Sequence, residues 1–266
     1  MNRIDVRFAD LKSGNRKALV PFVTAGDPSR EATVAIMHAL VAAGADLLEL
    51  GVPFSDPMAD GPVIQRSSER ALARGVDTNY IFETVREFRQ MDSTTPVVLM
   101  GYLNPVEMRG LETYAGQASA VGVDGVLLVD LPPEEAAPMR AAFNGHGLKL
   151  ISLAAPTTAP ERLDRLARES QGYLYYVSFA GVTGASNKLD ADAAMGKVAA
   201  LRAQSQVPVL IGFGIRDAAS AAKLAPAADG IVVGSALVEA LAGATSPADA
   251  AARAAAFLAP IRAALS

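Results

Sequence analysis

The chain has no cysteine and only two histidines, His38 and His146. The missing thiols exclude a disulfide framework, a cysteine nucleophile and a thiolate metal site. Two histidines are too few for a multi-histidine metal site. We interpret both as structural because they lie in or beside predicted helices, away from the predicted site. The sequence therefore predicts no metal centre.

Long apolar runs and an excess of basic residues are also missing. No window approaches the roughly 18 uninterrupted apolar residues of a membrane-spanning helix, and residues 1–10 lack the apolar segment of a secretory signal. The 24 lysines and arginines are outnumbered by 28 acidic residues, which gives a net charge of −4. That balance argues against a protein held mainly by nucleic-acid phosphates. We expect a cytoplasmic protein that binds neither a membrane nor nucleic acid.

What is present is the composition of a folded chain. The 266 residues are 51% hydrophobic and 20% charged, which excludes wholesale disorder and allows a large core. The 22 glycines and 16 prolines are spread along the sequence without a low-complexity block or a linker. We therefore expect a single domain over residues 1–266.

Short apolar segments rich in β-branched residues alternate with longer helical patterns. The predicted strands are 18–23, 46–50, 96–100, 125–129, 148–153, 174–178, 209–211 and 230–233. The predicted helices are 30–43, 63–74, 81–90, 110–120, 133–144, 160–170, 191–203, 218–224 and 246–265. This alternation predicts an α/β fold, a single (β/α)₈ TIM barrel with extra helices. The alternative is an open doubly wound sheet, which usually has fewer strands and a first-turn GxGxxG that this sequence lacks.

The active site of such a barrel lies at the carboxyl ends of its strands. Glu49 lies near the end of the second predicted strand, where period-two alternation groups it with Leu47 and Gly51. Both faces of a barrel strand are largely buried, and burial raises a carboxyl pKa into the range that suits proton transfer near neutral pH. The alternative is a structural glutamate bonded to a neighbouring hydroxyl or amide. Asp60 lies eleven residues after Glu49. By itself it is an ordinary loop aspartate. If it shares the barrel mouth with Glu49, it is a candidate second acid/base group or hydrogen-bond acceptor.

Glycines follow the last strands, where barrels often bind phosphate through backbone N–H groups and a short helix. Gly212 and Gly214 follow the seventh strand, and Gly234 and Ser235 follow the eighth. We expect Ser235 to cap a helix over 236–242 and to touch the phosphate, with Gly184 contributing from the loop after strand six. The predicted ligand is a phosphorylated small molecule.

Other residues near the predicted site allow two interpretations. Phe22, Met100, Tyr102 and Phe213 suit either the core or a pocket wall, and the hydroxyl of Tyr175 needs a partner if buried. No lysine falls within a predicted strand except one at the start of the fifth, the wrong end for a Schiff base. The sequence therefore offers no obvious nucleophile for imine chemistry.

Five motifs, in their order along the chain, resemble those of the tryptophan synthase alpha chain family. The longest is ELGVPFSDPMADGP at 49–62, which is far more specific than a glycine pattern. The others are PFVTAGDP at 21–28, YYVS at 175–178 with AGVTG at 180–184, GFGI at 212–215 and GS at 234–235. The resemblance runs from about residue 15 to residue 240.

The resemblance implies cleavage of indole-3-glycerol phosphate to indole and glyceraldehyde 3-phosphate, in L-tryptophan biosynthesis. It implies that Glu49 is the general acid/base and that Asp60 binds the indole N–H. The implied substrate contacts are Phe22, Met100, Leu127, Tyr175, Thr183 and Phe213. The implied phosphate contacts are Gly184, Gly214, Gly234 and Ser235.

The resemblance also implies a partner. A tryptophan synthase beta chain carrying pyridoxal phosphate would receive the indole, in an α₂β₂ tetramer. The implied contacts to it are Pro53, Asp56 and Asn104. No cofactor and no metal are expected in this chain.

Two alternative functions stay open on the sequence. Another phosphate-binding barrel enzyme, such as a sugar-phosphate isomerase or epimerase, explains the glycine-rich ends but not the 49–62 motif. An alpha-like subunit that only regulates a partner fits the resemblance, although the intact Glu49 and Asp60 argue against it.

Overall fold

The computed structural model describes residues 1–177, 191–212 and 214–265, without the side chains of 191–194. Eight parallel strands close into a barrel in sequence order, and the first strand pairs with both the second and the eighth. This arrangement confirms the predicted TIM barrel. The strands are β1 (Ala18–Thr24), β2 (Leu48–Gly51), β3 (Val97–Gly101), β4 (Gly125–Leu128), β5 (Lys149–Ala154), β6 (Leu174–Val177), β7 (Val209–Gly212) and β8 (Gly230–Val233).

Helices surround the barrel and connect its strands. They are α1 (Arg3–Ser13), α2 (Thr33–Ala42), α3 (Pro62–Ala73), α4 (Thr78–Arg89), α5 (Leu103–Arg109), α6 (Leu111–Val121), α7 (Ala136–Gly145), α8 (Pro160–Glu169), α9 (Ala191–Gln204), α10 (Ala218–Leu224), α11 (Ser235–Leu241) and α12 (Pro247–Ala264). The sequence prediction missed α1 and α5 and placed most other helices within a few residues. In the described ranges, no helix has the length and apolar character needed to cross a bilayer.

Helix α1 closes the amino end of the barrel. Asn2 caps it by accepting a hydrogen bond from the Ile4 N–H. Ile4, Phe8 and Leu11 recur on one face at helical spacing and are buried in the cluster that fills the barrel. The Phe8 ring lies 5.9 Å from the ring of Tyr173, which immediately precedes β6. Because this end is closed among the described residues, we expect a ligand to enter from the carboxyl ends of the strands.

Buried aspartates form hydrogen bonds and ion pairs at the amino ends of the strands. Asp46 and Asp124 each accept a backbone N–H from the neighbouring strand and an arginine side chain. The Asp124 carboxylate, for example, lies 2.8 Å from the Val97 nitrogen and 2.8 Å from an Arg89 guanidinium nitrogen. A buried carboxylate with both kinds of partner is stabilising because its removal leaves unpaired buried donors. These bonds serve stability and leave the opposite end of the barrel for chemistry.

Candidate functional site

Glu49 is the second residue of β2 (Leu48–Gly51), and its side chain is fully enclosed. Its Cα pairs with Phe22 on β1 and Val98 on β3, and its side chain is 0% exposed. The hydroxyl of Tyr173 donates a 2.5 Å hydrogen bond to its Oε1. The other oxygen, Oε2, is buried and has no hydrogen-bond partner among the residues that the structure describes. This second oxygen is therefore available to carry a proton.

The surroundings of Glu49 shift its proton affinity. Burial disfavours the charged carboxylate and raises the pKa of Glu49 to about 7, and the Tyr173 hydrogen bond opposes that shift. A carboxyl group with this pKa is present in both protonation states at neutral pH. It can therefore give and take a proton within one catalytic cycle.

Asp60 lies in the loop of residues 53–61 between β2 and α3, here called the Asp60 loop. The Tyr102 hydroxyl donates to Asp60 Oδ2 at 3.0 Å and accepts from the Ala59 N–H at 3.0 Å. Gln65, in the first turns of α3, donates from Nε2 to the backbone oxygen of Asp60 at 2.9 Å. Burial raises the pKa of Asp60, and the Tyr102 hydrogen bond opposes the shift.

The structure brings several predicted site residues to one small cavity. Phe22, Asp60, Met100 and Tyr102 all line it, between the Asp60 loop and the ends of β1 and β3. Its volume of about 10 Å³ is room for about one water molecule. This cavity is far smaller than the indole ring that the resemblance implies.

Tyr175 and Leu127 point into the barrel. Both belong to the cluster of side chains that fills the interior, and Leu127 is fully buried. Burial raises the pKa of Tyr175, and the charges of Glu49 and Asp60 raise it further. Tyr175 therefore stays a neutral phenol at neutral pH. The Tyr175 ring packs against Gly212. A Cβ added to Gly212 would lie 2.0 Å from the Tyr175 phenol oxygen, so position 212 has no room for a side chain.

The proposed phosphate residues stand at the carboxyl ends of β7 and β8. Gly214 has a φ of +55° that favours glycine, and a Cβ there would meet nothing within 4 Å. Gly234 is the N-cap of α11, and Ser235 is the first residue of that helix. The prediction that Ser235 caps a helix over 236–242 is wrong because the helix begins one residue earlier. An exposed Ser235 side chain and two open glycines still leave room for a ligand at this end.

Three predicted site residues lie outside the described residues. They are Thr183, Gly184 and Phe213. The residues predicted to face a partner differ in exposure. Asp56 and Asn104 are exposed, whereas Pro53 is buried. Contact through Pro53 would therefore have to be indirect, through its support of the Asp60 loop.

A groove of about 750 Å³ lies at the opposite end of the barrel, beside Arg3, Arg89 and His146. Its cationic groups already have partners, since Arg89 donates to Gly122 O, Thr95 O and Asp124. His146 pairs with Glu112 at 3.1 Å. These described side chains are therefore paired with other groups of the protein rather than directed into the groove. Among the described residues, no group of three histidine or acidic side chains is placed to hold a metal ion.

Two residues of this site, Tyr173 and Gln65, carry no signal that the sequence pattern alone made specific. Tyr173 was overlooked because the predicted sixth strand starts one residue after it, although its spacing of two from Tyr175 places both rings on one face. Gln65 was overlooked because a glutamine near a helix start has no distinctive pattern. Tyr102 was noted only as core or pocket wall, and its bond to Asp60 is a tertiary contact across the sequence.

Comparisons with known proteins agree over the whole chain. The family profile described as "Tryptophan synthase alpha chain" matches residues 8–265. The chain is 65% identical over 265 residues to the tryptophan synthase alpha chain of Xanthomonas euvesicatoria pv. vesicatoria (strain 85-10), covering 100% of this chain and 99% of the relative. It is 64% identical to that of Xylella fastidiosa (strain M12), covering 100% and 98%.

A solved structure gives the same result. The crystal structure of tryptophan synthase subunit alpha from Legionella pneumophila str. Paris superimposes with a TM-score of 0.92 at 46% identity. The match covers 100% of this chain and 98% of that one. The likeness therefore covers the full length of this chain.

Proposed function

Because this chain belongs to the tryptophan synthase alpha chain family, we propose that Glu49 and Asp60 carry its lyase reaction, the cleavage of indole-3-glycerol phosphate to indole and glyceraldehyde 3-phosphate. One observation carries the assignment. Glu49 is wholly buried within β2, has a pKa raised to about 7, and keeps one carboxyl oxygen without a partner among the described residues. Such a group suits proton transfer at neutral pH.

The chemistry balances with one carboxyl group used twice. Protonated Glu49 gives its proton to C3 of the indole, which makes the ring an electron sink with positive charge at its nitrogen. The resulting carboxylate then takes the proton of the glycerol hydroxyl next to C3. The carbon–carbon bond breaks, its electrons restore the neutral indole, and the hydroxyl carbon becomes the aldehyde. Glu49 ends protonated, as it began.

Asp60 stabilises the charge that develops between these steps. Its Oδ2 accepts from Tyr102, which leaves Oδ1 to accept the indole N–H. A fixed carboxylate beside the ring nitrogen interacts most strongly when that nitrogen becomes positive, so it lowers the barrier more than it tightens substrate binding. Phe22, Met100, Leu127 and Tyr175 supply apolar and aromatic surface for the ring.

The phosphate would bind at the opposite side of the barrel mouth. Gly214, Gly234 and Ser235 offer backbone N–H groups and a hydroxyl at the ends of β7 and β8, and the family resemblance adds Gly184. Thr183 and Phe213 would complete the substrate contacts. The reaction uses only carboxyl groups, so we propose that this chain works without a cofactor.

We propose that the indole passes to a beta chain that carries pyridoxal phosphate, within an α₂β₂ tetramer in the cytoplasm. The exposed Asp56 and Asn104 lie beside the barrel mouth, on the Asp60 loop and on α5. A partner on this face would receive indole where it leaves the site.

The test of this function is indole release from indole-3-glycerol phosphate, measured with and without a beta chain. We expect slow release by the chain alone and faster release with the partner. Ribulose phosphates serve as control substrates. Turnover of those sugars without indole release would contradict the proposal in favour of an isomerase or epimerase.

A charge at Gly234 tests the phosphate site. Gly234→Asp is expected to raise KM at least about tenfold, because a carboxylate at the start of α11 repels the phosphate. The fold accepts a side chain there, since an added Cβ would lie 3.7 Å from Phe22, and aspartate is a favourable N-cap. Gly234→Asn, which has the same size without the charge, should raise KM much less. Equal KM values for both variants and the wild type would remove Gly234 from the phosphate site.

Removal of Asp56 tests the partner face. Asp56→Ala is expected to raise the beta-chain concentration for half-maximal activation about tenfold, with intrinsic cleavage unchanged, because an interface charge acts on association. The matched control is Asp164→Ala, which removes an exposed carboxylate from α8 on another side of the barrel. An unchanged activation curve for Asp56→Ala, or equal loss of intrinsic and activated rates, would refute the interface role.

A further inference from the structure

The Asp60 loop is held by two side chains that act on different atoms. Gln65 donates to the backbone oxygens of Asp60 at 2.9 Å and of Pro57 at 3.3 Å. Tyr102 alone among the described residues donates to the Asp60 carboxylate, and the same hydroxyl accepts the Ala59 N–H. Gln65 therefore fixes the path of the backbone, whereas Tyr102 also fixes the direction of the carboxylate.

The Tyr102 ring has a second contact to the same loop. It stacks on Phe54 with ring centres 5.0 Å apart and planes inclined by 28°. Phe54 is half-buried and lies two residues before the exposed Asp56. Tyr102 itself is buried and is the N-cap residue of α5, so its backbone is fixed by a helix start rather than by a free loop. A rigid ring thus joins the outer part of the Asp60 loop to the carboxylate at its inner end.

We propose that Tyr102 is a positioning residue that orients the Asp60 carboxylate through its hydroxyl and couples it to Phe54 through its ring. The inference rests on the proposed function, in which Asp60 faces the indole nitrogen. With Oδ2 bonded to Tyr102, the carboxylate is held in one rotamer and Oδ1 is the oxygen left for the ring. Preorganisation of this kind avoids the cost of orienting the charge during the reaction.

The groups around Asp60 determine the direction in which its pKa changes when Tyr102 is altered. Tyr102 faces it from the end of β3, the charge of Asp60 acts on Tyr175 of β6, and Asp130 after β4 acts on Tyr102. Burial raises the pKa of Asp60, and the hydrogen bond that the Tyr102 hydroxyl donates lowers it. Its loss must therefore raise that pKa, and activity that needs the ionised carboxylate is lost at a higher pH.

The experiment is the pH profile of kcat for Tyr102→Phe, which keeps the ring and the stack on Phe54. We expect the acid limb to move up by about one pH unit, because the hydrogen bond that favours the ionised carboxylate is lost. We also expect kcat at its optimum to fall about tenfold. Gln65→Leu loosens the same loop without touching the carboxylate, and Tyr80→Phe removes a phenol oxygen that bonds Arg30 O and Thr33 away from the site. Both should keep the wild-type acid limb.

A binding measurement separates this inference from the proposed function. Tyr102→Phe should weaken the binding of a non-cleavable indole alkyl phosphate about threefold, and should leave the binding of glycerol 3-phosphate unchanged. Failure of the proposed function would appear as no indole release by the wild type, and the binding comparison would still decide the role of Tyr102. An unmoved acid limb in Tyr102→Phe, an equal shift in Gln65→Leu, or equal weakening of both phosphates would overturn the proposal.

Discussion

Glu49→Gln is expected to lower kcat at least ~100-fold, the lower end for loss of general acid–base catalysis, while KM stays within about twofold. Glutamine keeps the shape of the side chain and still accepts the Tyr173 hydroxyl, which lies 2.5 Å from Oε1. It cannot carry a proton to C3 or take one from the hydroxyl. Loss of kcat without loss of binding is therefore the signature of a proton-transfer group rather than of a structural glutamate.

The pH profile gives the same test a second readout. Proton donation requires protonated Glu49, so wild-type kcat should fall as pH rises through about 7, the value to which burial raises the pKa of Glu49. Glu49→Gln should lose this alkaline limb from its residual activity. Turnover near that of the wild type, with the limb intact, would make Glu49 structural and direct the search for the acid to Asp60 and Tyr175.

Stability provides a folding control that does not depend on turnover. Burial raises the pKa of Glu49 from 4.5 to about 7, so the unfolded chain loses this proton before the folded chain does. Stability that depends on protonated Glu49 is fully present below pH 4.5 and is lost as pH rises to about 7. Glu49→Gln should therefore gain up to about 3 kcal/mol in unfolding free energy relative to the wild type between these limits. Chemical denaturation at pH 5 and pH 8 measures this difference.

The barrel was predictable because its signals are local. Strands buried on both faces are continuous apolar runs, and the spacing of βα units recurs along the chain, so the sequence indicates eight strands without tertiary information. Helix α1 was missed for a different reason. Its apolar stripe of Ile4, Phe8 and Leu11 is only three residues in a charged segment, and what buries it is the open end of a barrel that forms from the rest of the chain.

The site was predictable only where chemistry conflicts with local pattern. A glutamate inside an apolar strand is such a conflict, and Glu49 is buried as expected. Asp60 became specific only through the 49–62 motif, because its partner Tyr102 is 42 residues away in sequence. The hydroxyl of Tyr102 and the amide of Gln65 satisfy bonds that depend on loop closure. Neither residue type nor spacing indicates such bonds before the fold is known.

Asp60→Asn is expected to lower kcat by about 10²–10³, the range for removing one group that stabilises transition-state charge. Asparagine keeps the size of the side chain and an oxygen that can accept the Tyr102 hydroxyl or the indole N–H. It lacks the negative charge that faces the ring nitrogen as the indole is protonated. KM should rise only about threefold, because the neutral ring of the ground state interacts weakly with that charge. The matched control is Asp164→Asn, which neutralises an exposed carboxylate on α8.

The two carboxyl groups can be distinguished because we expect them to control opposite limbs of the pH profile of kcat. The proposed role requires ionised Asp60, so we expect wild-type kcat to fall as pH falls through the pKa of Asp60, which burial raises and Tyr102 lowers. Asp60→Asn should therefore lose the acid limb and keep the alkaline limb near pH 7 that Glu49 sets. Glu49→Gln should show the reverse. If Asp60→Asn keeps the acid limb, the ionised group lies elsewhere, and Asp60 acts only as a neutral hydrogen-bond acceptor for the ring.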